Sequence, residues 1–411
     1  MLKNRLLGSV MLISGTAIGA GMLALPTSTA AAGFLPTICI FLVVWGMTVA
    51  SALLLLEVNL SLPHARDMLS MAEASLGKPG KIVTWFAFMC LLYALTAAYI
   101  TGGAQWIDTG LSQLPLQNSS HPVLHFVATW QKEISAVLFT TLLSLIIYLG
   151  THAVDHVNRL FMVLMAVSFI GIESIGLNSH AGQVQTVGDA ATLWPAIPVI
   201  ITSFGFHPVI PSLSEYLNRD RTRLKKAILI GSTIPLIVYI MWIGTVFNWL
   251  PADAIQSMVH AGDKLSAFIL LTSQYGNTPL LALFLKVFAL AVLLTSFLGV
   301  AMSLFHFLED GLHHRVSHPL IVTLITFLPP LFFALKFPQG FIFALGFGGI
   351  FVAVLLGILP CLMAWKVRQQ NTHTQRLLLG GRPVLILLML LFTIVIAIEV
   401  YYAHLMPYLH R

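Results

Sequence analysis

The sequence predicts an all-α polytopic membrane protein with eleven transmembrane helices, and three observations carry that prediction. Of the 411 residues, 58% are hydrophobic and only 9% are charged, whereas soluble proteins carry about 25% charged residues. Eleven apolar stretches are long enough to cross a bilayer, which takes about 20 helical residues. Two of these stretches, the first and the sixth, are interrupted near their middle by glycine or proline.

The loops between the apolar stretches are too short to hold a soluble domain, so we expect one transmembrane domain over residues 1–411. The spans lie near residues 6–31, 34–61, 80–108, 134–150, 158–177, 193–217, 225–250, 278–308, 317–336, 340–366 and 383–406. Lys3 and Arg5 before an apolar run are also typical of a secretory signal. This run is longer than a signal core, so we interpret it as the first span.

The loop charges predict the orientation. With the N-terminus in the cytoplasm, sixteen Lys and Arg lie on the cytoplasmic side and four on the other side, and Lys286 lies inside a span. Cytoplasmic loops carry an excess of Lys and Arg, so we expect a cytoplasmic N-terminus and a periplasmic C-terminus. The net charge of +6 follows this topology, and we expect no nucleic-acid partner.

The first interruption lies in the stretch Ile13–Gly21, which holds Gly15, Gly19 and Gly21. Each glycine costs a helix about 1 kcal/mol relative to alanine. A helix opened inside a bilayer survives only where it is buried in protein or lines a cavity. The stretch therefore predicts a place where the backbone itself binds something, with close glycine packing against another helix as the alternative.

The second interruption lies in the sixth span, where Gly205 precedes His207 and Pro208. Proline removes a helix donor and disfavours helical geometry in the residue before it. Spans one and six are five apart, so spans 1–5 (about 6–177) and 6–10 (about 193–366) would form inverted halves, with the eleventh span (about 383–406) outside the repeat. Interrupted spans at matching positions of inverted halves are typical of transporter binding sites.

The sequence holds no motif that is typical of other classes of protein. The sequence holds no His-Glu-x-x-His zinc motif, no phosphate-binding Walker loop and no Gly-x-Ser-x-Gly elbow, so we expect no enzyme activity. Two asymmetric interruptions favour an occluded site over the continuous pore of a channel. Cys39, Cys90 and Cys361 all lie in spans without metal-ligand spacing, so packing is their expected role, and we expect no metal or cofactor.

Several stretches resemble the hydroxy and aromatic amino acid permease family of the amino acid/polyamine/organocation superfamily and, within it, bacterial tyrosine-specific transporters. The resemblance rests on residues 15–26, 53–58, 93–100, 202–207, 295–301 and 325–330. It implies a LeuT-type 5+5 inverted repeat with discontinuous helices 1 and 6. It also implies proton-driven import of an aromatic amino acid, L-tyrosine first, across the bacterial inner membrane. Sodium coupling and a tryptophan- or serine-preferring member are the alternatives.

An amino acid presents a carboxylate and an ammonium group. We expect the half-helix starting near Ala20 to offer its amides and positive dipole end to the carboxylate. Carbonyl groups freed around Phe204 would accept the ammonium, with Phe204 and Phe206 as walls of an aromatic slot or as ordinary packing. The predicted substrate-binding residues are Thr16, Ala17, Ile18, Gly19, Ala20, Gly21, Thr96, Tyr99, Ser203, Phe204, Gly205, Phe206 and His207.

Ionisable residues inside a membrane are functional candidates. The predicted coupling or gating residues are His207, Glu57, Glu215, Lys286, Thr295 and Ser296. His207 could instead satisfy loose carbonyls of the interrupted span, and Glu173 is a candidate partner for Lys286. The resemblance implies one alternative sodium site, formed by Gly15 and Ile18 carbonyls with the hydroxyls of Thr295 and Ser296. The expected partners are therefore an amino acid, a coupling ion and the lipid bilayer, with no obligatory protein partner.

Overall fold

The structure is a computed structural model that describes residues 2–62, 64–65, 67–112, 122–176, 186–261, 264–275, 279–312, 318–370, 376–378 and 380–405. These residues form seventeen α-helices with short 3-10 and π-helical segments, and none of them forms a strand. The helices are α1 (Leu2–Ala17), α2 (Gly21–Thr29), α3 (Phe34–Ser61), α4 (Met68–Ser112), α5 (Pro122–Thr129), α6 (Gln131–Tyr148), α7 (Thr151–Gly176), α8 (Ile197–Ser203), α9 (Ile210–Tyr216), α10 (Arg221–Trp249), α11 (Ala252–His260), α12 (Lys264–Tyr275), α13 (Pro279–Leu312), α14 (Pro319–Lys336), α15 (Phe341–Val352), α16 (Leu359–Gln370) and α17 (Gly381–Val400).

The predicted polytopic all-α membrane protein is confirmed. Ten helical segments of the described chain are long and apolar enough to cross a membrane, and the bent pair Arg5–Ala17 and Gly21–Ala32 makes eleven if it forms one span. Apart from the starts of the third and fifth spans, their bounds lie within about four residues of the predicted ones; the sixth, for example, covers Ala190–Tyr216. The short helices α11 and α12, which lie between the seventh and eighth spans, were not predicted.

The third span is longer than the sequence suggests because α4 also includes residues before the predicted start at 80. Gly77 interrupts α4 with φ of 75°, a left-handed conformation that glycine adopts without strain. The helical segment before Gly77 therefore changes direction as it enters the apolar part of α4.

The chain divides into two compact units. The first comprises residues 1–91, 186–243 and 346–411. Within it, α3 packs along α16 and also touches α8 and α9, while α2 packs on α8. Its largest fully buried side chains include Trp242, Tyr239 and Phe41. Aromatic burial of this size supplies much of the packing energy of a helical core.

The second unit comprises residues 92–185 and 244–345. Its main contact runs along α7 and α13, and α14 packs on α6. Phe297 lies between Phe139 and Phe327, with ring centroids 5.5 Å and 5.9 Å away. A Cβ atom on Gly103 would lie 2.2 Å from the Phe139 ring, so this glycine lets α4 approach α6 closely.

A π-helical segment, Ala353–Ile358, lies within the tenth span. Gly357 in this segment faces the ring of Phe392, which a Cβ atom would meet at 2.2 Å. The Ser51 hydroxyl donates to the carbonyl of Leu356. An aromatic ring inserted against the helix and a polar group that takes up a displaced carbonyl are ordinary causes of such a bulge.

Candidate functional site

The first interruption separates α1 from α2. α1 ends at Ala17, α2 begins at Gly21, and the two segments are bent by 53°. The amide of Ile18 still donates to the carbonyl of Ser14 (2.9 Å), so it continues α1. In the described part of the chain, the amides of Gly19 and Gly21 donate no such hydrogen bond to a main-chain carbonyl of α1. These two amides are the main-chain donors that the interruption leaves open.

The second interruption separates α8 from α9. α8 ends at Ser203, and helical geometry resumes with the 3-10 turn His207–Val209. The carbonyl group of Phe204 accepts a hydrogen bond from the amide of Phe206 (3.1 Å), and that of Phe206 accepts one from the amide of Val209 (3.3 Å). The carbonyl of Gly205 accepts none from the described residues. It is therefore the open acceptor of the second interruption.

Tyr239 on α10 joins the two interruptions. Its hydroxyl lies 2.6 Å from the carbonyl oxygen of Ala17 and 2.8 Å from that of Ser203. These carbonyls terminate α1 and α8, and such groups need a partner in an apolar environment. One turn further along α10, Trp242 donates from Nε1 to the carbonyl of Met22 in α2 (3.1 Å). α10 thus ties together both sides of the first interruption and the end of α8.

The ends of α2 and α8 are in direct contact at Gly21. A Cβ atom there would lie 2.4 Å from Oγ of Ser203 and 3.3 Å from its Cα. By contrast, a Cβ atom on Gly15 would meet nothing within 4 Å. Close packing of a glycine against another helix was the alternative interpretation of the first interruption, and it applies to Gly21. The helix against which Gly21 packs is α8, at the residue where the second interruption begins.

Aromatic side chains surround the junction. Phe204, Phe41 and Tyr239 contact one another edge to face, with ring centroids 5.2–6.3 Å apart, and all three are fully buried. The Phe204 ring thus supports the tyrosine that bridges the helix ends. Phe206 is equally buried and lies against the ring of His207, with centroids 5.1 Å apart.

His207 is fully buried, and neither ring nitrogen makes a hydrogen bond in the described structure. A main-chain group of Thr48 in α3 approaches the ring without meeting ordinary hydrogen-bond geometry. Buried polar atoms without partners are rare in native proteins and call for an explanation such as an unseen ligand or water. His207 therefore stays a candidate for substrate binding or coupling, since it does not serve the loose carbonyls of its own turn.

The remaining hydroxyl candidates bond to their own helices. Thr16 is exposed and donates to Leu12, Thr96 is buried and donates to Leu92, and Thr295 is half-buried and donates to Val292. Such bonds satisfy a hydroxyl inside an apolar helix. The other candidates in these spans differ in burial: Ala17, Ala20 and Tyr99 are buried, and Gly19 and Ser296 are half-buried.

Of the charged candidates, Glu57 is the most firmly held. Arg368 donates to its two carboxylate oxygens at 2.6 Å and 2.9 Å, and the amide of Leu377 adds a third bond at 2.9 Å. Glu215 is exposed and Lys286 is half-buried.

The suggested pair of Lys286 and Glu173 is not formed in the described structure. Glu173 instead accepts a hydrogen bond from the hydroxyl of Thr245 (2.8 Å). A neutral hydroxyl at hydrogen-bond distance satisfies one carboxylate oxygen without the cost of burying a second charge.

The comparison with known proteins agrees with this architecture. The model of the tryptophan/tyrosine permease family matches residues 2–399. Tyrosine-specific transport system 1 of Haemophilus influenzae is 33% identical over 96% of both chains. The tryptophan-specific transport protein of the same species is 34% identical over 92% of this chain and 91% of its own. Glutamine transporter 2 of Aliivibrio fischeri is 32% identical over 90% of this chain and 91% of its own.

Proposed function

This chain belongs to the tryptophan/tyrosine permease family, and we propose that it imports an aromatic amino acid, L-tyrosine first, by proton symport and alternating access. Its relatives are transport proteins rather than enzymes. The proposed location is the bacterial inner membrane, with a cytoplasmic N-terminus and a periplasmic C-terminus, because Lys and Arg are concentrated in alternate loops.

We further propose a LeuT-type 5+5 inverted repeat with discontinuous helices 1 and 6. The support is that helical geometry stops after Ala17 in the first span and after Ser203 in the sixth. These positions are five spans apart, as the repeat requires. In such transporters the interrupted helices form the substrate site near the middle of the membrane.

The observation that carries the proposal is the junction at Tyr239, where both interruptions leave open backbone groups. The amides of Gly19 and Gly21 stand at the start of α2, where the helix dipole and free donors suit a carboxylate. The carbonyl of Gly205 suits an ammonium group. The backbone can therefore bind the part that all amino acids share without a charged side chain.

The relatives support an aromatic substrate, since two of them are named for tyrosine and tryptophan. A third is named for glutamine, so membership of the family alone does not select the side chain. Phe206, Thr96 and Tyr99 remain our proposed contacts for the aromatic ring. A pocket for an aromatic ring needs an apolar surface with few polar groups.

The proton is our proposed coupling ion, and sodium is the alternative. A sodium site would need the hydroxyls of Thr295 and Ser296 as ligands, together with carbonyls of Gly15 and Ile18. The Thr295 hydroxyl donates to Val292 in its own helix at 3.1 Å. The hydroxyl uses its proton in this bond, and the lone pairs of its oxygen stay available to bind a cation. The bond to Val292 is therefore compatible with a sodium site.

Uptake of labelled tyrosine into proteoliposomes, with proton and sodium gradients imposed separately, tests this function. We expect accumulation under a proton gradient alone. Unlabelled tyrosine should compete better than tryptophan, phenylalanine, serine or glutamine. Accumulation that needs sodium would show that sodium is the coupling ion instead of the proton. Stronger competition by tryptophan than by tyrosine would show that tryptophan is the preferred substrate. Folded protein that accumulates none of these amino acids would contradict the proposed transport.

Tyr239→Phe is expected to lower both thermal stability and substrate affinity. It removes the one donor shared by the carbonyls of Ala17 and Ser203, and leaving buried acceptors unpaired costs about 1–3 kcal/mol. Thermal unfolding in detergent and the substrate dependence of uptake would measure the two effects.

The matched control is Tyr93→Phe, which removes a hydroxyl that donates to the carbonyl of Ile325 at 2.8 Å. It should lower stability to a similar extent and leave substrate affinity within about twofold, a difference of under 0.5 kcal/mol. Equal losses of affinity in the two variants would show that Tyr239 has no special relation to the substrate.

A further inference from the structure

Glu399 differs from the other buried carboxylates of the described chain because it has no polar partner. The side chain lies on α17 and is only 6% exposed. No hydrogen bond or ion pair to it is present among the described residues, whereas Glu57 has Arg368 and Glu173 has Thr245. An unpartnered carboxyl group inside a membrane-spanning helix is expensive as an anion and inexpensive as a neutral acid.

The carboxyl group lies directly on the backbone of α15. A Cβ atom on Gly346 would be 2.9 Å from both carboxylate oxygens. Glycine at this position therefore makes the space that the carboxyl group occupies. A side chain built for packing alone would need no charge here, so the acid itself calls for a role.

Few of the ionisable side chains that the structure describes lie near this position. α17 packs on α8, α16, the 3-10 turn before α8 and the two π-helical segments. Lys366 and Arg368 on α16 lie about twenty residues beyond Gly346, roughly 30 Å along the span. The described ionisable side chains of these elements and of α15 are Asp189 (exposed, capping the 3-10 turn), Cys361, Lys366, Arg368, Arg382, Tyr401 and Tyr402. None of them is within salt-bridge distance of Glu399.

A short series of contacts connects this carboxyl group with the second interruption. Gly349 lies one turn after Gly346 on α15, and a Cβ atom there would be 2.5 Å from the carbonyl oxygen of Pro198. Pro198 belongs to α8, which ends at Ser203 under the Tyr239 hydroxyl. These contacts of α17 with α15 and of α15 with α8 therefore form a continuous path to the helix that ends at the proposed substrate site.

We propose that Glu399 is the group that binds the coupled proton. The inference rests on the proposed proton symport and names the residue that carries the proton. The ionisable candidates predicted from the sequence were His207, Glu57, Glu215 and Lys286. Protonation turns a carboxylate against the α15 backbone into a neutral acid, and release of the proton restores the charge. The charged form destabilises the close packing of α17 on α15, so the two protonation states favour different arrangements of α15 against α8.

Glu399→Gln, which mimics the protonated acid, is the variant that tests the proposal. With the membrane potential held at zero, one pH unit across the membrane can drive about tenfold accumulation for one proton per substrate. We expect wild-type protein to approach this ratio and the glutamine variant to fall to a ratio of about one. The variant should still exchange labelled for unlabelled substrate across vesicles without a gradient. Glu173→Gln is the control, and it should keep the proton-driven accumulation.

Three results would overturn the role of Glu399. Proton-driven accumulation by Glu399→Gln at the wild-type ratio would do so while leaving the proposed function intact. Equal loss of accumulation in the Glu173→Gln control would show that removal of any buried carboxylate stops transport. Wild-type accumulation that requires sodium would remove the proposed proton symport and Glu399 with it.

A second measurement on wild-type protein covers the case in which the glutamine variant does not fold. A hydrophobic carbodiimide adds a protonated carboxyl group across its C=N bond, and acyl migration then leaves a stable N-acylurea that mass spectrometry locates. We expect labelling at Glu399 that decreases as the pH rises and as substrate is added. Labelling that depends on neither, or no labelling at Glu399, would overturn the proposal.

Discussion

Replacing Gly21 with alanine is expected to reduce uptake of the labelled amino acid by at least about tenfold, which corresponds to about 1.4 kcal/mol. The added Cβ atom would lie 2.4 Å from Oγ of Ser203 and 3.3 Å from its Cα. The hydroxyl can rotate away, but the backbone of α8 cannot, so the start of α2 has to move away from the end of α8. Overpacking of this kind typically costs 1–3 kcal/mol.

Gly15→Ala is the matched control, because it adds the same methyl group to the same interrupted span. Nothing lies within 4 Å of a Cβ atom at this position. Alanine also favours the helical geometry of α1 by about 1 kcal/mol over glycine. We therefore expect uptake and thermal stability at or above the wild-type level.

A second substitution separates packing from substrate binding. Ser203→Gly removes the Oγ atom at 2.4 Å and the Cβ atom at 3.2 Å and leaves the Cα atom at 3.3 Å, so we expect Gly21→Ala with Ser203→Gly to recover part of the lost uptake. If the double variant folds but does not recover, the methyl group blocks the Gly21 amide from the substrate carboxylate. Wild-type uptake by Gly21→Ala alone would contradict both explanations.

The transmembrane fold could be predicted because its determinants are local. Bilayer thickness sets the length of an apolar span, and glycine or proline inside a span interferes with the bonding of its own helix. Both effects are visible within a few residues, such as Gly19 to Gly21 or Gly205 to Pro208. For the same reason the helix ends at Ala17 and Ser203 lie within the stretches that the sequence singled out.

The partners of these helix ends could not be predicted in the same way. Tyr239 lies 222 residues from Ala17 in the chain and sits in an uninterrupted helix, so no local pattern marks it. The one signal is a hydroxyl in an apolar span, which needs an acceptor. Arg368 is 311 residues from Glu57, and a charged residue near a predicted span end gives no indication of its partner.

Glu57→Gln is expected to destabilise the protein by about 3–5 kcal/mol, the usual cost of removing one partner of a buried ion pair. Glu57 is 1% exposed and Arg368 is 9% exposed, so neither charge is well solvated. The carboxylate also accepts a hydrogen bond from the amide of Leu377 (2.9 Å), which fixes Leu377 to α3. Thermal unfolding in detergent and the yield of folded protein would show the effect.

Glu73→Gln provides the control, since Glu73 pairs with Lys81 at 2.8 Å on the surface, where the two side chains are 44% and 49% exposed. Exposed pairs contribute only about 0–1 kcal/mol, so we expect nearly unchanged unfolding. Joint replacement of Glu57 and Arg368 by glutamine should recover part of the loss, because no unpaired charge then remains buried.

The same variants decide between two roles for Glu57. If it is a structural anchor, uptake per folded molecule should remain near the wild-type level in whatever Glu57→Gln protein survives. If it carries the coupled proton, stability should be nearly normal while proton-driven accumulation is lost. Three hydrogen bonds to one carboxylate, two of them from the Arg368 guanidinium group and one from the amide of Leu377, tie α3 to these two positions. A side chain that holds separate stretches of the chain together in this way serves as an anchor, and we therefore expect the structural result.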